Sequence, residues 1–280
     1  GGILGEQFGP RAPFYFVACI GAVNLCFGAF VLPETLAPEN RRKFEWKRAN
    51  AFGSFLQFRH YPIMLPIAGV LFLSGLAQWT YPSVWSYYAD EKFGWTPGLI
   101  GISLMVVGLG AAVVQAGLIR LIIPRLGERR TAIFAMLVSA ACYLAFSLAQ
   151  SAPVVFVLII ISALGGLAQP ALQGLMSRTM PANAQGELQG AVGALNSLTM
   201  VIGPLLVTQI FAVFSKPGEP FKVGSITVLE TGAPYYFPGA PFVFASVLQC
   251  LAIVILFRAF RHMRPKADAT PASSPGQSTL

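Results

Sequence analysis

The chain has 280 residues, 55% of them hydrophobic and 11% charged, with a mean hydropathy of +0.65. Soluble domains carry about 25% charged residues, so this sequence lacks the polar surface that a water-exposed globule requires. Its net charge of +8 is confined to certain loops, a placement that encodes topology and argues against a nucleic-acid partner.

Residues 12–33, 61–89, 93–119, 131–177, 188–215 and 231–257 contain no Asp, Glu, Lys or Arg. A helix needs about 20 apolar residues to cross the hydrocarbon, and each stretch reaches that length. The run 131–177 is too long for one crossing, because as a helix it would measure about 70 Å against a core of about 30 Å. A break is expected at residues 150–153, where Pro153 removes a backbone donor. The reading is an all-α integral membrane protein with seven full crossings.

In chain order, the first residues, GGILG, read as the outer end of an earlier helix, so that the chain is expected to be a fragment. A helix follows over about 14–32. Residues 33–61 are a charged connection containing RRKFEWKR, either laid on the lipid surface or solvated. Six helices follow, at about 62–88, 97–123, 131–149, 153–176, 188–214 and 239–260. Residues 215–238 form an outer loop with a short hairpin arm around Val223, and the Pro/Ser/Thr/Ala-rich tail is expected to be disordered. With alternate loops on opposite faces, fifteen of the nineteen Lys and Arg fall on one side, among them Arg41, Lys47, Arg125, Arg178 and Arg261. The other side holds Arg11, Lys92, Lys216 and Lys222. The rich side is cytoplasmic by the positive-inside rule, which also places the C-terminus in the cytoplasm.

Several chemistries have no residues to perform them. Cys19, Cys26, Cys142 and Cys250 form no CxxC or Cys/His cluster, so neither a metal site nor a disulfide framework is expected. His60 and His262 read as interfacial side chains. No nucleotide-binding fingerprint and no nucleophile triad is present, so the chain is read as a non-enzyme without cofactor. No predicted span contains an ionisable acid, Lys, Arg or His away from its ends, and such residues are the usual mark of a proton path in the membrane.

Uncharged polar groups within the spans carry the functional signal, because amides in hydrocarbon need partners or water. Gln78, Gln115, Gln173 and Asn196, with the aromatics Trp79 and Trp85, are the candidate substrate contacts for an amphiphilic or aromatic solute. Trp85 and Tyr87 fit an interfacial aromatic belt equally well. Glycines recur in the spans, at Gly101, Gly108, Gly110 and Gly117, at Gly165, Gly166 and Gly174, and at Gly190, Gly193 and Gly203. Small residues permit close helix contact in lipid, and Gly203-Pro204 is expected to kink its helix.

Taken together, several strings resemble the major facilitator superfamily, in particular its tetracycline-resistance type of drug–proton antiporter. GGILGEQFGPRAPF at 1–14 is similar to the end of that group's fifth-helix antiporter motif. PSVWSYY at 82–88 with FGW at 93–95 resembles its seventh helix, and GGLAQPALQGLMS at 165–177 its tenth. QGELQG at 185–190 and VIGPLL at 201–206 resemble its eleventh, and PRLGERR at 124–130 the second copy of its cytoplasmic loop motif. The resemblance implies the last crossings of a twelve-helix, two-half transporter. Residues 1–32 would close the N-terminal bundle, 33–61 link the bundles, 62–262 form the C-terminal six-helix bundle, and 263–280 trail as a tail. It further implies proton-driven export of a drug-like small molecule, with tetracycline as one candidate, across a bacterial inner membrane by alternating access. Gly1, Gly2, Gly5, Gly203 and Pro204 would be the conformational positions, and the coupling carboxylates would lie largely in the N-terminal bundle. Two places depart from the pattern: Ala111 stands where such pumps carry a His, and Leu137 where some carry an Asp. The alternatives are a proton-linked carrier taking up a sugar or organic acid, and a non-transporting membrane sensor. The topology is testable without knowing the substrate. In a cysteine-free background, a membrane-impermeant thiol reagent applied outside should label a cysteine at Lys222 and spare one at Lys43; the reverse pattern would invert the topology.

Overall fold

A computed structural model describes residues 8–9, 11–31, 64–181, 184–218, 221–223, 226–229 and 233–262 of the chain. Gly1, Gly2, Gly5, His60, the connection 33–61 and the tail 263–280 are outside the described residues. Among the described residues seven helical stretches are long and apolar enough to cross a membrane. The chain divides into two units, Gly1–Glu45 and Trp46–Leu280. The first contains α1 (Ala12–Val31), whose Phe14, Val23 and Phe30 are exposed.

The second unit holds six spans. The first of them is made of α2 (Met64–Gln78) and α3 (Thr80–Phe93), which the sequence reading had joined as one helix. The break at Trp79 follows from Pro82, which has no N–H to offer the Gln78 carbonyl and whose ring crowds it. The next span runs from α4 (Pro97–Val113) through a π-helical turn at Val114–Leu118 into α5 (Ile119–Leu126). α6 (Glu128–Leu148) follows. α7 (Ala152–Ser162), a 3₁₀ turn at Ala163–Leu167 and α8 (Ala168–Thr179) make one crossing. The expected break at 150–153 is therefore present, with Pro153 in the first turn of α7. The 3₁₀ turn also has a sequence cause, since Pro170 cannot donate to the carbonyl of Gly166. α9 (Gln185–Ser215) is continuous through Pro204, and α10 is Ala240–His262. In the loop between them β1 (Phe221–Val223) and β2 (Ile226–Leu229) pair antiparallel, the hairpin arm the sequence suggested.

Among the described residues two large buried clusters organise the six spans, beside a small third of Leu76, Ala77, Ala245 and Leu248. One gathers Met64, Ile67, Leu71, Met136, Leu172 and Leu256 from α2, α6, α8 and α10. The other is aromatic and centres on Trp85, Tyr88, Trp95, Phe146 and Phe242. Trp85 stacks on Tyr81 with ring centroids 4.3 Å apart and meets Phe146 edge-on at 5.7 Å. Such ring pairs contribute about 0.5–1.5 kcal/mol each beyond their buried area.

Ionisable groups sit at the two ends of this scaffold. At one, Lys92 Nζ donates to the Ser147 carbonyl (2.8 Å) and to Tyr88 Oη (3.1 Å), while the Tyr88 hydroxyl donates to the Phe146 carbonyl. Both carbonyls belong to the last turn of α6, that of Phe146 also accepting from the Ala149 N–H, and a cation at this end favours the helix dipole. At that end Tyr236 donates to Glu91 Oε1 at 3.0 Å. At the other end, Glu128 in the first turn of α6 pairs with Arg178 in the last turn of α8 at 2.9 Å. The bare face of Gly174 gives the Glu128 side chain room, since a Cβ there would stand 2.8 Å from its carboxylate. Arg129 lies 4.3 Å over the Phe260 ring. This end gathers the basic termini of α6, α8 and α10 on one face, as the alternation of loops requires.

Glycine acts as a close-contact residue at some of the positions read from sequence. A Cβ on Gly203 would lie 2.7 Å from Trp79 Cβ, and one on Gly165 would overlap the Ser139 side chain. Gly101, Gly108, Gly117, Gly190 and Gly193 face nothing within 4 Å, so within this unit the close-packing expectation does not describe them. Gly203→Val should overpack the contact of α9 with Trp79 at the α2–α3 break, at a cost of about 1–3 kcal/mol. The melting temperature of the purified protein in detergent should fall accordingly, and Trp79→Ala in the same chain should restore part of the loss.

Candidate functional site

An amide in a transmembrane helix is driven away from lipid, because hydrocarbon offers it no hydrogen-bond partner. The six spans resolve this by turning several amides onto two adjoining cavities. The larger has a volume of about 700 Å³ and is lined by α2 to α8, within the 300–1,000 Å³ range typical of small-molecule sites. Its wall is largely apolar, with Leu104, Val107, Ile119, Phe146 and Ile159, and Gln78, Gln115, Gln169 and Gln173 project polar groups into it. The smaller, of about 130 Å³, reaches between α2, α6, α8, α9 and α10 and is lined by Ser74, Gln78, Ser139, Tyr143, Gln169, Asn196 and Gln249. Gln78, Ser139, Tyr143, Ser162, Gly166 and Gln169 belong to both.

The irregular backbone segments lie on this site. Gln115 is held on the π-turn, where the wider winding rotates the residues that follow relative to a regular helix; π-bulges often occur at functional positions. Across from it stands the 3₁₀ turn: a Cβ on Gly110 would come within 2.9 Å of Ala163, and Gly166 faces Val114. The two segments that depart from α-geometry therefore face each other beside the larger cavity.

The lining contains no Asp, Glu, Lys, Arg or His. Ala111, where the resemblance would place a His, lines the larger cavity, so that position could not titrate here. Asp90 and Glu91 are exposed and Glu187 is partly buried in the first turn of α9, and none of the three reaches the lining. Among the described residues no group of three or more His, Cys, Asp or Glu is placed to hold a metal ion.

Of the residues singled out from sequence, Gln78, Gln115 and Gln173 line the larger cavity, and Gln78 and Asn196 the smaller. Trp79 and Trp85 line neither. Trp79 is held against Gly203 at the helix break. Trp85 is 1% exposed, and its indole N–H donates to Ser103 Oγ at 2.9 Å, so it holds α3 to α4 from within the core. Tyr87 is exposed. Gly203 and Pro204 lie in α9 beside the break, on the wall of neither cavity. The reading from sequence passed over Ser74, Ser139, Tyr143 and Gln249. Gln249 carried a readable signal, a lone amide in the middle of the charge-free run 231–257.

Comparison with known proteins agrees with this architecture. The family profile described as Major Facilitator Superfamily matches residues 1–204 and, in a second register, residues 67–279. The chain is 34% identical over 212 residues to the class C tetracycline resistance protein of Escherichia coli, covering 76% of this chain and 53% of that protein. It is 30% identical to the class B tetracycline resistance protein of Escherichia coli, covering 84% and 57% respectively. A more distant similarity, 23% identity over 91% of the chain, is to the Hippocampus abundant transcript 1 protein of Mus musculus, of which 54% is covered. The chain spans about half the length of the curated relatives it matches.

Proposed function

The chain belongs to the major facilitator superfamily, and on that footing we propose that it is the C-terminal portion of a proton-driven exporter of a drug-like small molecule in a bacterial inner membrane. Residues 1–32 end the N-terminal bundle, 33–61 connect the bundles in the cytoplasm, 62–262 form the C-terminal bundle and 263–280 are its tail, with the C-terminus cytoplasmic. One bundle rocks against the other about a midplane site. Gly1, Gly2, Gly5, Gly203 and Pro204 serve that movement.

The observation that carries the reading is the uncharged cavity of about 700 Å³, apolar with amides set into it, in a chain similar to proteins named for tetracycline resistance. Such a wall suits a large amphiphilic molecule: apolar surface supplies affinity, and a few polar groups supply orientation. It does not suit an organic acid, which would call for cationic residues on the lining. Gln78, Gln115 and Gln173 contact the substrate in this cavity and Asn196 in its smaller neighbour. The driving proton is handled by residues beyond this lining, because amides and hydroxyls do not titrate near neutral pH.

Expression of the full-length gene in an efflux-deficient bacterium should raise the inhibitory concentration of tetracycline. Inverted vesicles should accumulate the drug only under an imposed pH gradient. Gln115→Leu should weaken export about tenfold, the worth of one or two hydrogen bonds at about 1 kcal/mol each, with an unchanged amount of protein in the membrane. Neutralising Asp90, Glu91 or Glu187 should leave coupled transport largely intact. Unaltered susceptibility to tetracycline would remove that substrate, and gradient-independent accumulation would remove proton coupling.

A further inference from the structure

The span made of α4 and α5 is wound irregularly where nothing in its local sequence compels it. At the turn between them the Ile119 N–H bonds to the carbonyl of Val114, five residues back. A regular helix would bond it to Gln115, four back. The turn thus holds one residue more than an α-turn does. Val114–Leu118 contains no proline, and Gln115, Ala116 and Gly117 are exposed. A Cβ on Gly117 would meet nothing within 4 Å. The two sides of the turn are held unequally. α4 is fixed by Ser103, which accepts the Trp85 indole N–H at 2.9 Å. α5 has no buried residue and ends on Gly127, whose φ of +76° marks a conformationally permissive corner.

We propose that this turn is a one-residue register switch: when the Ile119 N–H re-pairs with the Gln115 carbonyl, the turn becomes regular α-helix and α5 moves by one helical step. With α4 fixed, that step is a rotation of about 100° and an advance of about 1.5 Å. Each residue from Ile119 onward then takes the place its successor now holds. The sequence of α5 suits both registers. Leu118, Ile119, Ile122 and Ile123 now pack against the first buried cluster. After the step Ile119 and Ile123 leave that face, and Leu121, now 48% exposed, joins it. Arg120 and Arg125 take the exposed places of Leu121 and Leu126, so no charge is carried inward. The surface opposite also permits the step. It is the 3₁₀ turn, which meets α4 where Ala163 faces Gly110 and meets the π-turn where Gly166 faces Val114. Small residues let the backbones approach closely there and leave no long side chain between them. The turn further joins the cavity to the basic end of the span. Gln115 and Ile119 line the larger cavity, so the step sets Leu118 on that wall in place of Ile119 while it displaces Arg120 and Arg125. Its part in transport rests on the export reading, whereas the switch itself does not.

The test uses cysteine-free full-length protein in liposomes, with a nitroxide spin label on Leu121→Cys or Ile123→Cys. A helix register shift takes microseconds to milliseconds, so each label should show a mobile and an immobilised component. The mobile form should predominate at 121 and the immobilised form at 123. Deleting Ala116 removes the extra residue and leaves α5 on its present face in a regular helix, so each spectrum should collapse to its major component. In detergent the shortened protein should melt at its parent's temperature or higher, whereas deleting Leu109 from the regular α4 should lower the melting temperature. With tetracycline as the probe and an imposed pH gradient, uptake into inverted vesicles should fall about tenfold or more on deletion of Ala116, because conformational steps commonly limit turnover. A single component at both positions of the full-length protein, two components that survive the deletion, or a melting temperature lowered as far as by the Leu109 deletion would each overturn the switch. Parental uptake by the shortened protein would overturn its part in export. If the parent itself moves no tetracycline, the export reading fails, and the two spectra still decide the switch.

Discussion

Hydrocarbon accepts no hydrogen bond, and the arrangement of the six spans follows from that constraint. Each backbone donor must be paired within its own helix, and each polar side chain must find a partner or a cavity. Ser103, Ser147, Ser162, Thr199 and Thr208 satisfy their hydroxyls on carbonyls of the preceding turn. Amides cannot fold back so cheaply, and several of them line the two cavities, with Gln78, Gln115 and Asn196 at exposed positions on the walls. The clustering of Gln78, Gln115, Gln169, Gln173, Asn196 and Gln249 around two joined cavities has this common cause. Their position follows from the solvent before any ligand enters the argument.

The same constraint explains where the backbone departs from regularity. The break at Trp79 and the 3₁₀ turn at Ala163–Leu167 both free carbonyls, which are tolerable at membrane depth only where protein or a water-filled cavity receives them. Trp79 is backed by Gly203, and the 3₁₀ turn adjoins both cavities. Irregular helices are thus gathered on the side of the bundle that encloses space. The regular α6 and α10 carry the extensive packing, with Ala132, Ala135, Met136, Ala252 and Leu256 buried.

The gross architecture was legible because charge is so strongly excluded from the membrane. Runs free of Asp, Glu, Lys and Arg gave the spans, Pro153 marked the division of the longest run, and the turn chemistry near Val223 gave the hairpin. What stayed hidden depended on pairing across helices. Trp85 sits in a pattern that reads equally as belt or cavity, yet it lies in the core, where it bonds to Ser103, 18 residues away. Pro82 was present in the sequence, but its effect on the Gln78 carbonyl was overridden by the apolar length of the run. The π-turn at Val114–Leu118 has no proline to announce it, and we have no account of it from local sequence. Lys92 read as a loop cation, yet it crosses to the end of α6, a contact that only the tertiary arrangement supplies.

The lack of ionisable groups on both cavity walls has an electrical consequence. A charge carried across the membrane potential changes energy by about 2.3 kcal/mol per 100 mV. The lining formed by α2 to α10 contributes no such charge, so a rearrangement of these walls moves no gating charge of their own through the field. Any voltage sensitivity of a process run along these walls is then set by what moves past them and by residues beyond them. In electrical terms the lining of the two cavities is a passive dielectric wall.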